Sequence, residues 1–571
     1  METINRNIRG GTSCIFQPYA KANNPRILPK DAPGIPKEQH ERIRAGFETD
    51  WNTLPSEYKD WCKKEGYDHE AEVSWIIYID ANSLYPTTMC MPLPIGDYKE
   101  VDIYTGEKFK LPGSEIVEVK RILKRYGDND SKGYMIEVDF EIPDHLHDVF
   151  DYAPVVKRVV EHDDLSERQH LIGETFGACT ATPKLIPFLG KHTKVLYHTG
   201  LLKFWVDKGC VITRVYNVWS FEQSPWMAEY IRGMARKRAA STDPVERECI
   251  KKAINSLYGK LLQDPTKQRN LVPYTCPRAF VRAISRKNCI DFEVHQYDKP
   301  GVPFFGIVET LSPHGVLLNM PRAAGSSVLD NSKLLMVRMH FDWFKERYQH
   351  RAVLCMTDTD SYVYMVYCRK LARDMLKAVG FYFDLQEGLS PQDLQMLTNG
   401  NETGIAKNVQ RCSDYKGRLG AFKFENKTSF ISEFVGLAAK MYSMKMVHHT
   451  DYMGSDKNDG KLEEYRKGKG VPTRALLANA THESYKQMIF NPSDNRVTFR
   501  TLRSKKHVIE QLEITRKMLT PYNDKVFSAS KLESRPLGHL RNRTPIDPTT
   551  TDPTTTDPTT TTASSSSSSS L

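Results

Sequence analysis

Two carboxylates stand one residue apart in Asp358-Thr359-Asp360-Ser361, between the apolar runs Ala352 to Met356 and Tyr362 to Tyr367. Extended runs joined by four polar residues predict a β-hairpin, and alternation along the backbone sends Asp358 and Asp360 to the same side. A third acid is presented in a similar way, because the short apolar run Trp75 to Ile79 ends at Asp80 and is followed by Ala81-Asn82-Ser83-Leu84-Tyr85-Pro86. Hard oxygen donors clustered at rigid strand ends suit Mg²⁺ chemistry on phosphates. A lone Asp-x-Asp in a polar turn is more often a solvated hairpin tip. Its surroundings weigh against that here.

Between the acidic stretches lies Lys251-Lys252-Ala253-Ile254-Asn255-Ser256-Leu257-Tyr258-Gly259-Lys260. Ile250, Ile254, Leu257 and Leu261 recur at helical spacing and predict a buried stripe, while Lys251, Asn255 and Tyr258 share a neighbouring face. Such a helix anchors by one side and offers a cation and an aromatic ring from another. Upstream, Met227 to Ala240 predicts a second helix carrying Arg232, Arg236, Lys237 and Arg238. A basic helix of this kind is more often a solvated face.

The order of these stretches resembles a known family. Asp-x-x-Ser-Leu-Tyr-Pro at 80 to 86, Lys-x-x-x-Asn-Ser-x-Tyr-Gly at 251 to 259 and Asp-Thr-Asp-Ser at 358 to 361 resemble motifs A, B and C of family B DNA polymerases. The finer likeness is to the protein-primed branch of small bacteriophages, adenoviruses and Polinton or Maverick mobile elements. The stretch from 184 to 231, with Phe221-Glu222-Gln223-Ser224-Pro225-Trp226, is similar to the mobile-element members, and Lys440-Met441-Tyr442 resembles the family's Lys-x-Tyr motif. The resemblance covers roughly residues 7 to 450.

It implies the following roles. Asp80 and Asp360 are the main ligands of two Mg²⁺ ions, with Mn²⁺ as an alternative, and the Ala81 carbonyl touches the triphosphate-side ion. Asp358 completes the catalytic acids, tuning the site or meeting metal at some stages. Lys251, with Asn255 and Tyr258, faces the triphosphate, and Lys237 and Arg238 are a second set of triphosphate-gripping cations. Tyr85 lies beneath the incoming sugar and excludes a 2′-hydroxyl, with Ser83 and Leu84 forming its turn. Lys440 and Tyr442 hold the primer terminus, and Gly259 lies on the DNA side. A surface lysine beside a packed tyrosine is the plainer alternative for Lys440 and Tyr442.

The implied fold is α+β, a right-hand polymerase of palm, fingers and thumb with two terminal-protein-region-like insertions. Residues 1 to 70, polar and broken by Asn23-Asn24-Pro25 and Ala32-Pro33-Gly34, make a linker-like approach. The palm with motif A spans 71 to 99. The 170 residues from 81 to 250 exceed a minimal connection, which places a first insertion at 100 to 215 and the fingers at 216 to 265. A second insertion covers 266 to 320, the palm resumes over 321 to 450, and 451 to 535 is thumb-like. Leu329 to Tyr348 predicts a palm helix and 450 to 470 a Gly- and charge-rich loop. The tail 536 to 571 turns to Asp-Pro-Thr units and serines, too poor in apolar surface to offset ordering entropy.

Departures from the family pattern carry their own expectations. Only 79 residues precede Asp80, Asp139-Phe140-Glu141 follows motif A rather than preceding it, and Ile8-Arg9-Gly10-Gly11 has Ile8 where a Tyr-x-Gly-Gly linker has tyrosine. No proofreading by this chain is expected, and Asp139 to Glu141 is expected on a strand.

A net charge of +10 suits a polyanionic partner held by sequence-independent backbone contacts. Eleven cysteines without a Cys-x-x-Cys pair argue against a zinc site or a disulfide framework. No run of about 18 apolar residues and no signal-peptide core is present. These features predict an intracellular, non-secreted protein with no membrane partner, nucleus or cytoplasm left open. Expected partners are DNA template and primer, deoxynucleoside triphosphates and a terminal priming protein. Two other readings stay open: a reverse transcriptase, and an inactive DNA-binding remnant of a viral or mobile element.

Overall fold

The computed structural model describes residues 2–102, 113–177, 182–267, 269–295, 304–311, 319–378, 382–384, 417–426, 429–448, 460–505 and 508–542. The Asp-Pro-Thr and serine tail lies outside them. At the centre is a nine-stranded sheet. Its strands are β1 (Ser13–Ile15), β2 (Tyr19–Lys21), β3 (Ser74–Ala81), β4 (Ala352–Asp358), β5 (Ser361–Tyr367), β6 (Phe422–Phe424), β7 (Ser429–Ala438), β8 (Met441–His448) and β9 (Leu462–Lys467). The order is β1-β4-β5-β3-β7-β8-β9, with β6 beside the end of β3 and β2 beside β7. Every pairing in it is antiparallel. β3 is central because its apolar residues Ile76, Ile77 and Ile79 are buried on both faces.

Four helices frame one end of this sheet: α1 (Leu84–Met89), α2 (Ala228–Ala240), α3 (Pro244–Leu261) and α4 (Arg322–Arg338). Asp243 caps α3 by accepting the Val245 N–H, and Pro244 opens its first turn. The stripe of Ile250, Ile254, Leu257 and Leu261 packs on Met89, Leu93, Ala324 and Val328, as its spacing predicts. A second sheet of Leu93–Glu100, Lys132–Glu141, His192–His198 and Val211–Ser224 shares its core with the first: Ile77, Ile79 and Leu84 pack in one cluster with Val138, Phe140, Tyr197 and Leu334. Asp139 and Glu141 lie on its long strand, where the Lys194 N–H donates to Asp139. Three shorter strands, Asn270–Tyr274, Cys289–His295 and Phe305–Thr310, form a separate small sheet.

Three local expectations change. The polar stretch 1 to 70 is not a bare linker: it holds helices Lys37–Arg44 and Ser56–Lys64 around a small core of Leu28, Ile43, Leu54, Tyr58, Cys62 and Tyr67. Leu462–Lys467, expected inside a loop, pairs with β8. The helix expected from Leu329 begins at Arg322, and its continuation Met339–Lys345 widens into a π-helix.

Candidate active site

β3 delivers Asp80 at its end, in register with Ser361 of β5 on one side and Lys423 of β6 on the other. The next residue, Ala81, is buried and its N–H donates to the Asp360 carbonyl at 2.7 Å. That bond fixes the two acidic stretches to each other through backbone alone.

The β4–β5 hairpin is tighter than four loop residues. The strands run into Asp358 and out of Ser361, which pair directly, so Thr359 and Asp360 form the turn. Asp360 therefore sits at the turn, not on a strand, and alternation is not what places it. Thr359 takes a left-handed conformation, φ 66°. Its N–H donates to the Thr12 carbonyl at 2.7 Å, so the segment leading into β1 supports the turn from outside. Of six non-glycine residues at positive φ among the described residues, Ser83, Thr359 and Lys440 belong to the expected site. Strained backbone concentrated in one place is a mark of function.

The electrostatics are those of negative charges crowded out of water. Burial, then the charge of Asp360, push the Asp80 carboxyl up to about 7, with Lys423 opposing. Burial likewise raises Asp360, and its own backbone N–H opposes this while Asp358 and Glu425 add to it. Lys423 Nζ stands 3.4 Å from Asp80 Oδ1 and is also paired with Glu425. Lys440 Nζ meets Asp358 Oδ1 at 2.5 Å.

Among the described residues no group of three or more His, Cys, Asp or Glu side chains is arranged to hold a metal ion. Mg²⁺ requires less, since one or two carboxylates with waters and substrate phosphates suffice. Asp80 and Asp360, each destabilised as an anion by burial and by its neighbours, fit a divalent cation.

Tyr85, in the first turn of α1, stacks on Tyr258 of α3 with ring centroids 4.1 Å apart. Burial, Tyr258 and Asp360 together raise the Tyr85 hydroxyl. Ser83, at φ 52°, forms the turn into α1, and Leu84 is packed in the core. Asn255 is half-buried on the Tyr258 face, and Gly259 opens to free space. Lys251, Lys237 and Arg238 lie on the α2–α3 pair; Lys251 is 4.0 Å from Glu248 and Lys237 3.2 Å from Glu246, so neither is tied to the carboxylates. Tyr442 is fully buried, its hydroxyl 3.3 Å from that of Tyr78, which makes it a packed tyrosine behind Lys440.

Lys423, Glu425 and Asp384 escaped sequence reasoning. Lys423 reaches the site through the pairing of β6 with β3, Glu425 follows it with its N–H on the Tyr78 carbonyl, and Asp384 comes from a separate segment whose N–H donates to the Phe422 carbonyl. The alternation Phe422-Lys423-Phe424 signals a strand but not its neighbour.

No family model and no curated protein matches the chain. Solved structures do. Phi29 DNA polymerase in an orthorhombic crystal form is 11% identical over 91% of this chain and 62% of that one, with a TM-score of 0.46. Phi29 DNA polymerase complexed with primer-template DNA and incoming nucleotide substrates is 13% identical over 86% and 64%, with a TM-score of 0.41. The chain thus spans less than two thirds of the length of these structures.

Proposed function

We propose that the chain is a template-directed DNA polymerase of family B, of the protein-primed type, which adds deoxynucleotides to a primer 3′-hydroxyl in the replication of viral or mobile-element DNA. One observation carries this reading. Three stretches that resemble motifs A, B and C lie far apart in sequence and converge, with Asp80 bonded through Ala81 to the Asp360 turn and Tyr85 stacked on Tyr258.

In this reading the central sheet from β1 to β8 is the palm, α2 and α3 the fingers, and the described part of residues 451 to 535, β9 included, the thumb-like region. Asp80 and Asp360 would hold two Mg²⁺ ions, which when bound would neutralise charge developing on the reacting phosphate. Catalysis by the chain itself is then largely placement. Asp358, anchored by Lys440, sets the electrostatics behind the pair until a primer phosphate claims the lysine. Lys251 and Lys237, both exposed, and the half-buried Arg238 are cations that close on the triphosphate when the α2–α3 pair meets substrate. The flat ring of Tyr85, held from behind by Tyr258, occupies the space that a ribose 2′-hydroxyl needs.

The test is extension of a labelled primer on a DNA template with Mg²⁺ and four deoxynucleotides. Extension is expected, reduced about a thousand-fold or more in Asp360→Ala. No extension by a demonstrably folded chain would favour the inactive remnant, and preference for an RNA template would favour a reverse transcriptase.

A further inference from the structure

Asn82, two residues beyond Asp80, is gripped at three points, two on the loop Gly417 to Ala421 and one on Asp384. Its N–H donates to the Ala421 carbonyl and its carbonyl accepts from the Gly420 N–H, both at 2.9 Å. Its side-chain Nδ2 donates to Asp384 Oδ2 at 3.0 Å. The same oxygen of Asp384 accepts the Gly417 N–H at 2.7 Å. Asp384 is only 7% exposed and is itself held in place, since its N–H donates to the Phe422 carbonyl and Phe383 beside it is fully buried.

What this grip restrains is Ser83, at φ 52° and ψ 59°. A left-handed serine costs on the order of 1 kcal/mol or more and persists only where its surroundings over-determine it. No side-chain cap supports it. Beyond it, the Thr87 N–H and hydroxyl both donate to the Ser83 carbonyl at 2.9 Å. Gly420 presses on the same turn: it lies at φ +80°, and a Cβ there would come within 2.7 Å of Thr87 Cγ2. Two of the three bonds to Asn82 come from backbone that any loop sequence would offer. The third is a buried carboxylate that joins Asn82 to Gly417, and it fixes where the loop sits against the turn.

Tyr85 follows Ser83 by two residues, so the direction of its ring is set by this turn. Asp80 also pairs with Lys423 of β6, but the β3–β5 register and the Ala81 bond to Asp360 hold it without Asp384. Loosening Asn82 therefore moves the ring and leaves the carboxylates. We propose that Asp384 is a positioning residue for sugar selection, acting through Asn82 and Ser83 to hold Tyr85 where it blocks a 2′-hydroxyl. This rests on the polymerase reading and assigns to it a specificity residue outside the three motifs.

The experiment compares kcat/KM for deoxynucleotide and ribonucleotide addition by wild type, Asp384→Ala, Asp384→Asn and Asn82→Ala, with hydrogen exchange at the Thr87 amide read on the same proteins. Asp384→Ala is expected to lower the deoxy-to-ribo ratio about ten-fold, with a smaller change in deoxynucleotide addition and faster Thr87 exchange. Asp384→Asn, whose amide oxygen can accept from both donors, should keep most of the ratio. Asn82→Ala should resemble Asp384→Ala, and the double variant should be no worse than either single one. A parallel fall in both activities, or an unchanged ratio in an active Asp384→Ala, would overturn the sugar-selection role. Unchanged Thr87 exchange would overturn the positioning argument even if no variant were active. Failure of wild type to extend any primer would instead reject the polymerase reading, and the sugar role with it.

Discussion

At Asp80 the neighbour that opposes burial and the charge of Asp360 is Lys423. Its ammonium shares itself between Asp80 and Glu425, occupying a flank of the carboxylate pair that a divalent cation would otherwise feel as wholly negative. The Lys423 side chain is 34% exposed and that of Asp80 23%, so the ion pair is partly screened and worth about 1 kcal/mol at most. Removing the cation leaves Asp80, Asp360 and Glu425 with less positive charge opposing them, which favours a metal. Lys423→Met is therefore expected to tighten Mn²⁺ binding about five-fold, read by electron paramagnetic resonance titration of the free protein. Weaker binding in the variant would mean that Lys423 orders Asp80 for the metal instead of competing with it.

At the scale of elements, the β4–β5 turn depends on the segment that leads into β1. A Cβ on Gly11 would fall 2.5 Å from Thr359 Cγ2 and 2.6 Å from its Oγ1, and Thr359 cannot swing freely because it is β-branched and its N–H is held by Thr12. Gly11→Ala should destabilise by about 1–3 kcal/mol, measured by urea unfolding. Thr359→Gly in the same chain should restore most of the loss, since glycine suits φ 66° and removes the clashing atoms. The elements that were legible in the sequence explain why this contact was not. The end of β3 at Asp80 and the buried stripe of α3 follow from local patterning, which needs no knowledge of partners. Gly11 against Thr359, Lys423 beside Asp80 and Asp384 on Asn82 are long-range pairings carried by loops and a three-residue strand, where no period exists to be read. Residues 1 to 70 misled for a related reason: Leu28, Ile43 and the short run Leu54, Tyr58 and Cys62 lie apart in sequence among polar residues, yet they converge on one small core.

The two large sheets share one core, so a weakness in the second sheet reaches the strand that carries Asp80. His192, at the start of His192–His198, is 1% exposed, packs on Phe140 and donates from Nε2 to the Phe188 carbonyl at 2.9 Å, while its buried Nδ1 has no hydrogen-bond partner among the described residues. Burial drives its pKa down to about 4, against the smaller opposing effect of the Phe188 carbonyl. An unfolded chain takes up this proton near pH 6.5, whereas the folded chain resists until about pH 4. The unfolded state binds more protons across that window, so the contribution is present in full above pH 6.5 and is lost as the pH falls through 4. The loss amounts to about 3 kcal/mol. Below this window a second loss sets in, because Glu433, although burial opposes it, is held well below the usual carboxylate range by His482, Tyr19 and Lys486, and its stabilisation disappears as it protonates. The melting temperature should therefore fall more steeply between pH 6.5 and 4 in wild type than in His192→Gln, where His40, His198, His340 and His539, also lowered by burial, keep the remaining slope, with both chains losing stability at lower pH. An equal slope in the two chains would place the upper window on another group, and the shared core would then not be what ties acid sensitivity to the second sheet.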